Sequence, residues 1–224
     1  MSADLWGTLL PLVVASAAVP VQITLTVLLL RSSVGTAAAW VGGMTTTRLV
    51  QGVLFGLVFT EAGVLSTEDG AGPFVSGVLL VIAILLLGKA ARELIGGRED
   101  DASPPKWMRL SGSATPLTAF ALGASYVAVA AKLWVFTLGA IGVVAEASLS
   151  RPASIAIFLL FVALAEAVPI ALGAYAALAP TSSRALLERV SAWLERSARG
   201  IVIVVGLVFG VWFLVKALDS LGVL

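Results

Sequence analysis

The chain has 224 residues, of which 59% are apolar and only 12% are charged. Soluble domains are about 45–50% apolar and about 25% charged, so this composition excludes a soluble globular protein. A mean hydropathy of +1.06 leads to the same conclusion. The 14 Lys and Arg residues against 13 Asp and Glu residues give a net charge of +1, which predicts no nucleic-acid partner.

The sequence contains neither Cys nor His. This absence excludes disulfides, thiolate or imidazole metal sites and histidine-based acid–base catalysis. The loop carboxylates show no catalytic spacing. We therefore expect no metal, no cofactor and no enzymatic activity.

Six apolar stretches, spans 1 to 6, are each long enough to cross a membrane as a helix, which takes about 20 residues. They are residues 6–30, 37–60, 73–95, 115–145, 152–180 and 200–222. Their continuous apolar character differs from the alternation of barrel strands. The sequence therefore predicts an all-α polytopic membrane protein with six transmembrane helices. We expect one membrane domain over 1–224, comprising a first half (1–95), a charged cytoplasmic connection (96–114) and a second half (115–224).

The run Ala15-Ser16-Ala17 in span 1 has the small residues of a signal-peptide cleavage site. However, no Lys or Arg precedes it, and the apolar run continues to Leu30. We expect span 1 to be retained.

The distribution of basic residues predicts the orientation, because Lys and Arg concentrate in cytoplasmic loops. With the N-terminus outside, the outer side keeps only Arg151 and Lys216. The inner side then collects Arg31, Lys89, Arg92, Arg98, Lys106, Arg109, Arg184, Arg189, Arg196 and Arg199. We predict a multi-pass protein of the inner (plasma) membrane with both termini outside.

An inward-facing central connection permits two three-helix halves of opposite orientation, the inverted-repeat plan of many transporters. Pro11 and Pro116 begin the two halves similarly, and spans 2 and 5 each carry a central charge. Chance matches in any six-helix bundle are the alternative.

Residues 181–199 predict an amphipathic helix between spans 5 and 6, lying on the inner membrane surface. A partner-binding helix is the alternative there. Its apolar stripe consists of Leu186, Leu187, Val190, Trp193 and Leu194.

Three charges fall near the middle of spans: Arg48 in span 2, Lys132 in span 4 and Glu166 in span 5. Each costs about 2.5–3.5 kcal/mol at the centre of a membrane helix, so we expect them to face one another or water. Their net charge of one positive unit suits a carboxylate, sulfate or phosphate. The alternative is an Arg48–Glu166 ion pair that only locks the bundle.

Polar residues near these charges extend the predicted substrate pathway. Proline frees a backbone carbonyl and lets a helix break beside a cavity, although an ordinary packing kink is the alternative. The pathway residues predicted in addition to the three charges are Thr45, Gln51, Ser125, Tyr126, Gln22, Thr24, Pro20 and Pro169.

Two glycine pairs predict close helix packing: Gly52-x-x-x-Gly56 in span 2 and Gly206-x-x-x-Gly210 in span 6. A subunit interface is the alternative for the pair in span 6.

The second half of the chain combines Phe158-Leu-Leu-Phe-Val162, Glu166-Ala-Val-Pro-Ile170, Tyr175 and Ala179-Pro180 with an amphipathic segment that ends at Arg199-Gly200. This succession resembles the sulfolipid-1-addressing and glycopeptidolipid-addressing (Sap/GAP) proteins of the LysE-type exporter superfamily. Ser16-x-x-x-Pro20 is similar to the family's first span, and Lys132 matches a lysine expected in span 4. The chain departs from the family in having Ala128 to Ala131 where Asn and Pro are expected before that lysine.

The resemblance implies a flippase-like protein that assists export of a cell-envelope glycolipid or another anionic amphiphile. It also implies a large lipid-export partner and a homo-oligomer. Two alternatives stay open: a LysE-like exporter of a small amino acid or similar solute, and a non-transporting scaffold of a larger lipid-export complex.

Overall fold

A computed structural model of the chain describes residues 2–61, 72–95 and 114–220. These residues contain helices and no strand, so the prediction of an all-α protein is confirmed. The predicted connection 96–114 lies outside the described residues except for Ala114. The helices are α1 (Ser2–Ala17), α2 (Pro20–Ser32), α3 (Val34–Glu61), α4 (Gly72–Ile95), α5 (Pro116–Val129), α6 (Ala131–Glu146), α7 (Arg151–Ala165), α8 (Ala167–Leu178) and α9 (Pro180–Ser220).

Spans 1, 4 and 5 are not single helices, because each bends sharply at a break. The bend is 48° between α1 and α2, 72° between α5 and α6, and 62° between α7 and α8. Pro20 is the first residue of α2, a position where proline needs no hydrogen-bond partner for its nitrogen. Pro169 lies in the first turn of α8, and the break falls three residues earlier, at Glu166. Two of the three breaks therefore lie close to a proline that the sequence singled out.

The third break has no proline and was not predicted. Ala130 has an extended backbone (φ −75°, ψ 94°) between α5 and α6. The indole Nε1 of Trp134 donates a hydrogen bond of 2.8 Å to the carbonyl oxygen of Ala128. A carbonyl at a helix end lacks an intrahelical partner, so this side chain stabilises the break.

We expect Trp134→Phe to lower the free energy of unfolding by about 0.5–1.5 kcal/mol, the net value of one hydrogen bond. The ring remains available to pack edge-on against Phe55, where the centroids are 5.4 Å apart. Thermal unfolding in detergent measures the effect. Trp193→Phe is the matched control, because Trp193 is 53% exposed. Equal stability of the Trp134→Phe variant and the wild type would contradict this role.

Part of the predicted set of membrane spans can be recognised among the described residues by length and composition. One helical segment, Arg199–Asp219, is long and apolar enough to cross a membrane alone, and the three bent pairs each qualify if counted as one span. The described part of the chain therefore offers up to four candidate spans by length and composition. The outer surface agrees with a membrane setting, since Ile84, Val204 and Val208 are more than half exposed.

Helix α9 corrects the prediction of a separate surface helix at 181–199. It runs without interruption for 41 residues, from Pro180 to Ser220, and so joins the amphipathic segment directly to span 6. No proline follows Pro180 in this helix, and an internal glycine such as Gly200 costs only about 1 kcal/mol relative to alanine. The change from amphipathic to apolar sequence therefore occurs within one helix.

Glycines allow α9 to pack closely on α4. A Cβ added at Gly206 would lie 2.8 Å from both the Leu86 carbonyl oxygen and the Ala90 Cβ, and one added at Gly210 would lie 2.7 Å from Leu87 Cγ. The pair in span 6 thus serves packing within the chain. In span 2, Gly52 lies against Phe158 of α7, whereas a Cβ at Gly56 would meet no atom of the described residues within 4 Å.

Candidate functional site

An ion pair between Arg48 and Glu166 lies at the centre of the described bundle. Arg48 is in the middle of α3, and Glu166 occupies the break between α7 and α8. The Arg48 Nε and Glu166 Oε1 atoms are 3.3 Å apart, and the two side chains are 0% and 1% exposed. Two ionised groups removed from water require each other, because an unpaired buried charge is strongly destabilising.

The guanidinium of Arg48 also contacts the two other broken helix pairs. Its Nη2 donates to the Ser16 hydroxyl at 3.0 Å, one residue before α1 ends, and its Nη1 donates to the Thr137 hydroxyl of α6 at 3.4 Å. Glu166 in turn accepts a hydrogen bond from the Thr45 hydroxyl, one turn before Arg48 on α3. One arginine on an unbroken helix therefore joins all three bent pairs.

The predicted pathway residues of α2 and α3 have different surroundings. Gln22 and Gln51 are fully buried, and their amide nitrogen and oxygen atoms have no hydrogen-bond partner among the described residues. Thr24 is half-buried. Its neighbour Thr26 is buried and donates to the Gln22 carbonyl oxygen at 2.8 Å. Unpartnered buried amides are costly, which makes Gln22 and Gln51 candidates for contacts with a polar ligand or water.

The structure brings together two of the three predicted charges and places Lys132 elsewhere. Thr137 of α6 faces Arg48, and Lys132 precedes it by five residues, which corresponds to about 140° around a helix. Lys132 therefore faces away from the pair and lines a cavity that also includes Pro20 and Lys89. Within the described part of the chain it forms no ion pair. The expected cluster of three charges is thus corrected to a neutral pair and a separate lysine.

Tyr126 and Ser125 lie beside a second cavity, of about 320 Å³, between α2, α3 and α5. The Tyr126 ring packs at a tilt against Trp40, with centroids 5.5 Å apart. The Tyr126 hydroxyl and Trp40 Nε1 are buried and have no hydrogen-bond partner among the described residues. Ser125 is exposed and donates to the carbonyl oxygens of Ala121 and Leu122 in its own helix.

Comparison with known proteins identifies the family. The family profile described as "Sap, sulfolipid-1-addressing protein" matches residues 9–219, nearly the whole chain. The chain belongs to the Sap family. The resemblance to the sulfolipid-1-addressing proteins, inferred from the motifs of the second half, is therefore confirmed. No curated protein and no solved structure matches the chain.

Two hydroxyl residues of this Sap-family protein were absent from the predicted site. Ser16 shares a helical face with Pro20 and Thr24 but was not counted among the pathway residues, and Thr137 was not considered. Thr137 could have been found from the sequence, because it is a lone hydroxyl in the apolar run from Val135 to Val144. Both hydroxyls are completely buried and bonded to Arg48.

The arrangement places one cation and one carboxylate in contact inside the described bundle. In the described residues of this Sap-family protein, no group of three or more Asp or Glu residues could hold a metal ion. The ion pair instead holds together helices that are already bent, and it can open only if another polar group or water replaces each partner.

Proposed function

We propose that this protein assists the outward transfer of an anionic amphiphile, such as a cell-envelope glycolipid, across the inner membrane. In this proposal the chain crosses the membrane six times as two inverted three-helix halves, with both termini outside. Spans 1, 4 and 5 are the bent pairs α1–α2, α5–α6 and α7–α8. The printed family description, which refers to a sulfolipid, supports the lipid class.

The observation that carries the proposal is the contact of Arg48 with residues at or near all three bent pairs. Broken helices inside membrane proteins occur where backbone is buried in protein or lines a cavity. Because one guanidinium joins these elements, a movement of the Arg48 side chain away from Glu166 would also alter its bonds to Ser16 and Thr137. We infer that the Arg48–Glu166 pair holds the bent helices in one conformation, and that its opening allows the conformational change that moves the substrate. We call this ion pair the latch.

The test is envelope lipid profiling of a deletion strain that is complemented with wild-type and variant genes. Thr45→Val removes one hydrogen bond to the Glu166 carboxylate, and a bond to a charged group is worth about 1.5–3 kcal/mol. We expect total glycolipid to remain unchanged while its surface-extractable fraction falls. Glu166→Gln should lower that fraction further, because it removes the charge that Arg48 pairs with.

Thr46→Val is the matched control, because the adjacent Thr46 is exposed and donates only to the Gly42 carbonyl oxygen of its own helix. It should support export as the wild type does. If Thr45→Val and Glu166→Gln, both expressed normally, rescue export fully, the latch is excluded and a scaffold role is favoured. An unchanged lipid profile in the deletion strain would contradict the proposal and direct the search to a small solute.

A further inference from the structure

A cavity of about 200 Å³ lies between the α1–α2 break, α4, α6 and α9. Its walls are almost entirely apolar. Among them are Ile82 and Leu85 of α4 and Val202 and Val205 of α9. The charged residues of the lining are two lysines, Lys89 and Lys132.

The two lysines come from different helices and have different environments. Lys89 is 61% exposed and lies 3.7 Å from the Glu93 carboxylate, which places one end of the cavity at the surface. Lys132 is half-buried and is the second residue of α6, and it pairs with no carboxylate in the described part of the chain. Two ammonium groups that share an apolar cavity repel each other unless an anion lies between them.

Near the surface end of the cavity, another cation, Arg199, connects α9 to α4. Arg199 of α9 donates from Nε to the Glu93 carbonyl oxygen of α4 at 3.0 Å, and its Nη2 donates to the same oxygen. Ile201, two residues further along, lines the cavity. The mouth thus lies where the last turns of α4 are bonded to the middle of α9, and both helices carry basic groups there.

We infer that this cavity binds the headgroup of an anionic amphiphile, with a sulfate, phosphate or carboxylate between Lys89 and Lys132. Lysine binds such groups as a compact point charge, and binding sites typically combine apolar walls with few polar groups. The volume is below the range of about 300–1,000 Å³ of sites that enclose a drug-sized ligand. The headgroup and part of one chain therefore enter, while the remaining apolar chains stay in the membrane.

This inference rests on the proposed function and assigns its substrate to a site outside the Arg48–Glu166 pair. That pair is neutral overall, so it gives no preference for an anion. The two lysines give that preference. The Pro20 break lines the same cavity and connects it to α1, whose Ser16 bonds to Arg48. An anion in the cavity would therefore act on the same helices as the latch.

The experiment measures ligand stabilisation of the purified full chain in a neutral maltoside detergent. A ligand that binds only the folded protein raises the Tm by mass action. We expect dioleoyl phosphatidic acid to raise the Tm of the wild type, and dioleoyl phosphatidylcholine to leave it unchanged. Lys89→Gln and Lys132→Gln should each reduce the shift, the double variant should abolish it, and Lys132→Arg should retain it.

Two further variants separate the cavity from charge in general. Lys216→Gln removes one positive charge from a lysine that lies over the Trp212 ring, outside the cavity lining, and should keep the wild-type shift. Val202→Trp fills the cavity without changing the charge and should abolish the shift, so the site is tested even if the double lysine variant does not fold.

An undiminished shift in the double lysine variant or in Val202→Trp would overturn the inference. The inference would also be overturned if Lys216→Gln reduced the Tm shift as much as Lys89→Gln or Lys132→Gln does, because that result would indicate a general charge effect. Inorganic phosphate at the same concentration should not raise the Tm, and an equal shift with phosphate would exclude an amphiphile as the ligand. These results are obtained without cells, so they are independent of the export assay with Thr45→Val.

Discussion

Replacing Arg48 with Gln is expected to lower the free energy of unfolding by about 3–5 kcal/mol, the cost of breaking a buried ion pair by removing one partner. The Glu166 carboxylate would remain in a site that is 1% exposed, with the Thr45 hydroxyl as its remaining partner. The Ser16 and Thr137 hydroxyls would also lose the cation to which they are bonded. Thermal or chemical unfolding in detergent measures the loss.

The double variant Arg48→Gln, Glu166→Gln provides the decisive comparison. Replacing both members of a buried pair by well-packed apolar residues is often neutral in stability, because the desolvation cost of both charges disappears, and two Gln residues remove both charges in the same way. We therefore expect the double variant to be more stable than Arg48→Gln alone. A double variant as unstable as the sum of the two single losses would show that the two side chains act independently, contrary to the geometry.

Stability and export should separate in the double variant. The neutral pair would restore the fold while removing the charge interaction whose opening we propose as the latch. Surface-extractable glycolipid should then stay low although the protein is present at a normal level. This separation distinguishes the proposed latch from an ion pair that only locks the bundle, the alternative that the sequence left open.

The sequence predicted the contact between Arg48 and Glu166 better than the direction of Lys132. Arg48 and Glu166 were placed near the middle of spans 2 and 5, and the structure pairs them. Lys132 lies in the middle of span 4 as well, but on the opposite side of α6 from Thr137. Position along an apolar run indicates depth, whereas the direction of a side chain depends on how each helix is rotated. That rotation is determined by packing between helices, which the sequence of a single helix does not specify.

The helix boundaries were predictable where the sequence contains a strong local signal. Pro20 begins α2 because proline is tolerated in the first turn of a helix and disrupts its interior. Ala130 carries no such signal, since alanine has the highest helix propensity of all residues. The break there depends on tertiary contacts, among them the bond from Trp134 to the Ala128 carbonyl. The continuity of α9 was missed because a change in polarity was interpreted as a helix end.

Replacing Gly43 or Gly123 with Ala is expected to be the most disruptive small substitution in the described bundle. A Cβ at Gly43 would lie 2.1 Å from the Phe120 carbonyl oxygen, and one at Gly123 would lie 2.2 Å from the Trp40 carbonyl oxygen. Both obstacles are backbone atoms, which cannot rotate away as a side chain can. Helices α3 and α5 would have to separate. The free energy of unfolding should therefore fall by at least the about 1–3 kcal/mol that is typical of overpacking.

The separation would have a specific structural signature. Thr47, one turn after Gly43, donates to the Ala124 carbonyl oxygen of α5 at 3.2 Å, and this bond would lengthen with the distance between the helices. The tilted Trp40–Tyr126 contact would be disturbed as well, because both rings lie at the same interface. We therefore expect a change in Trp fluorescence together with the lower Tm.

Gly56→Ala is the matched control, since it makes the same change in the same helix at a position where the added Cβ meets no described atom within 4 Å. Because alanine is favoured over glycine in helices by about 1 kcal/mol, this variant should be as stable as the wild type or more stable. A Gly43→Ala variant with unchanged Tm and fluorescence would contradict the close crossing of α3 and α5. Arg48 lies five residues after Gly43 on the same helix, so the position of the latch depends on two glycines that lie outside both predicted glycine pairs.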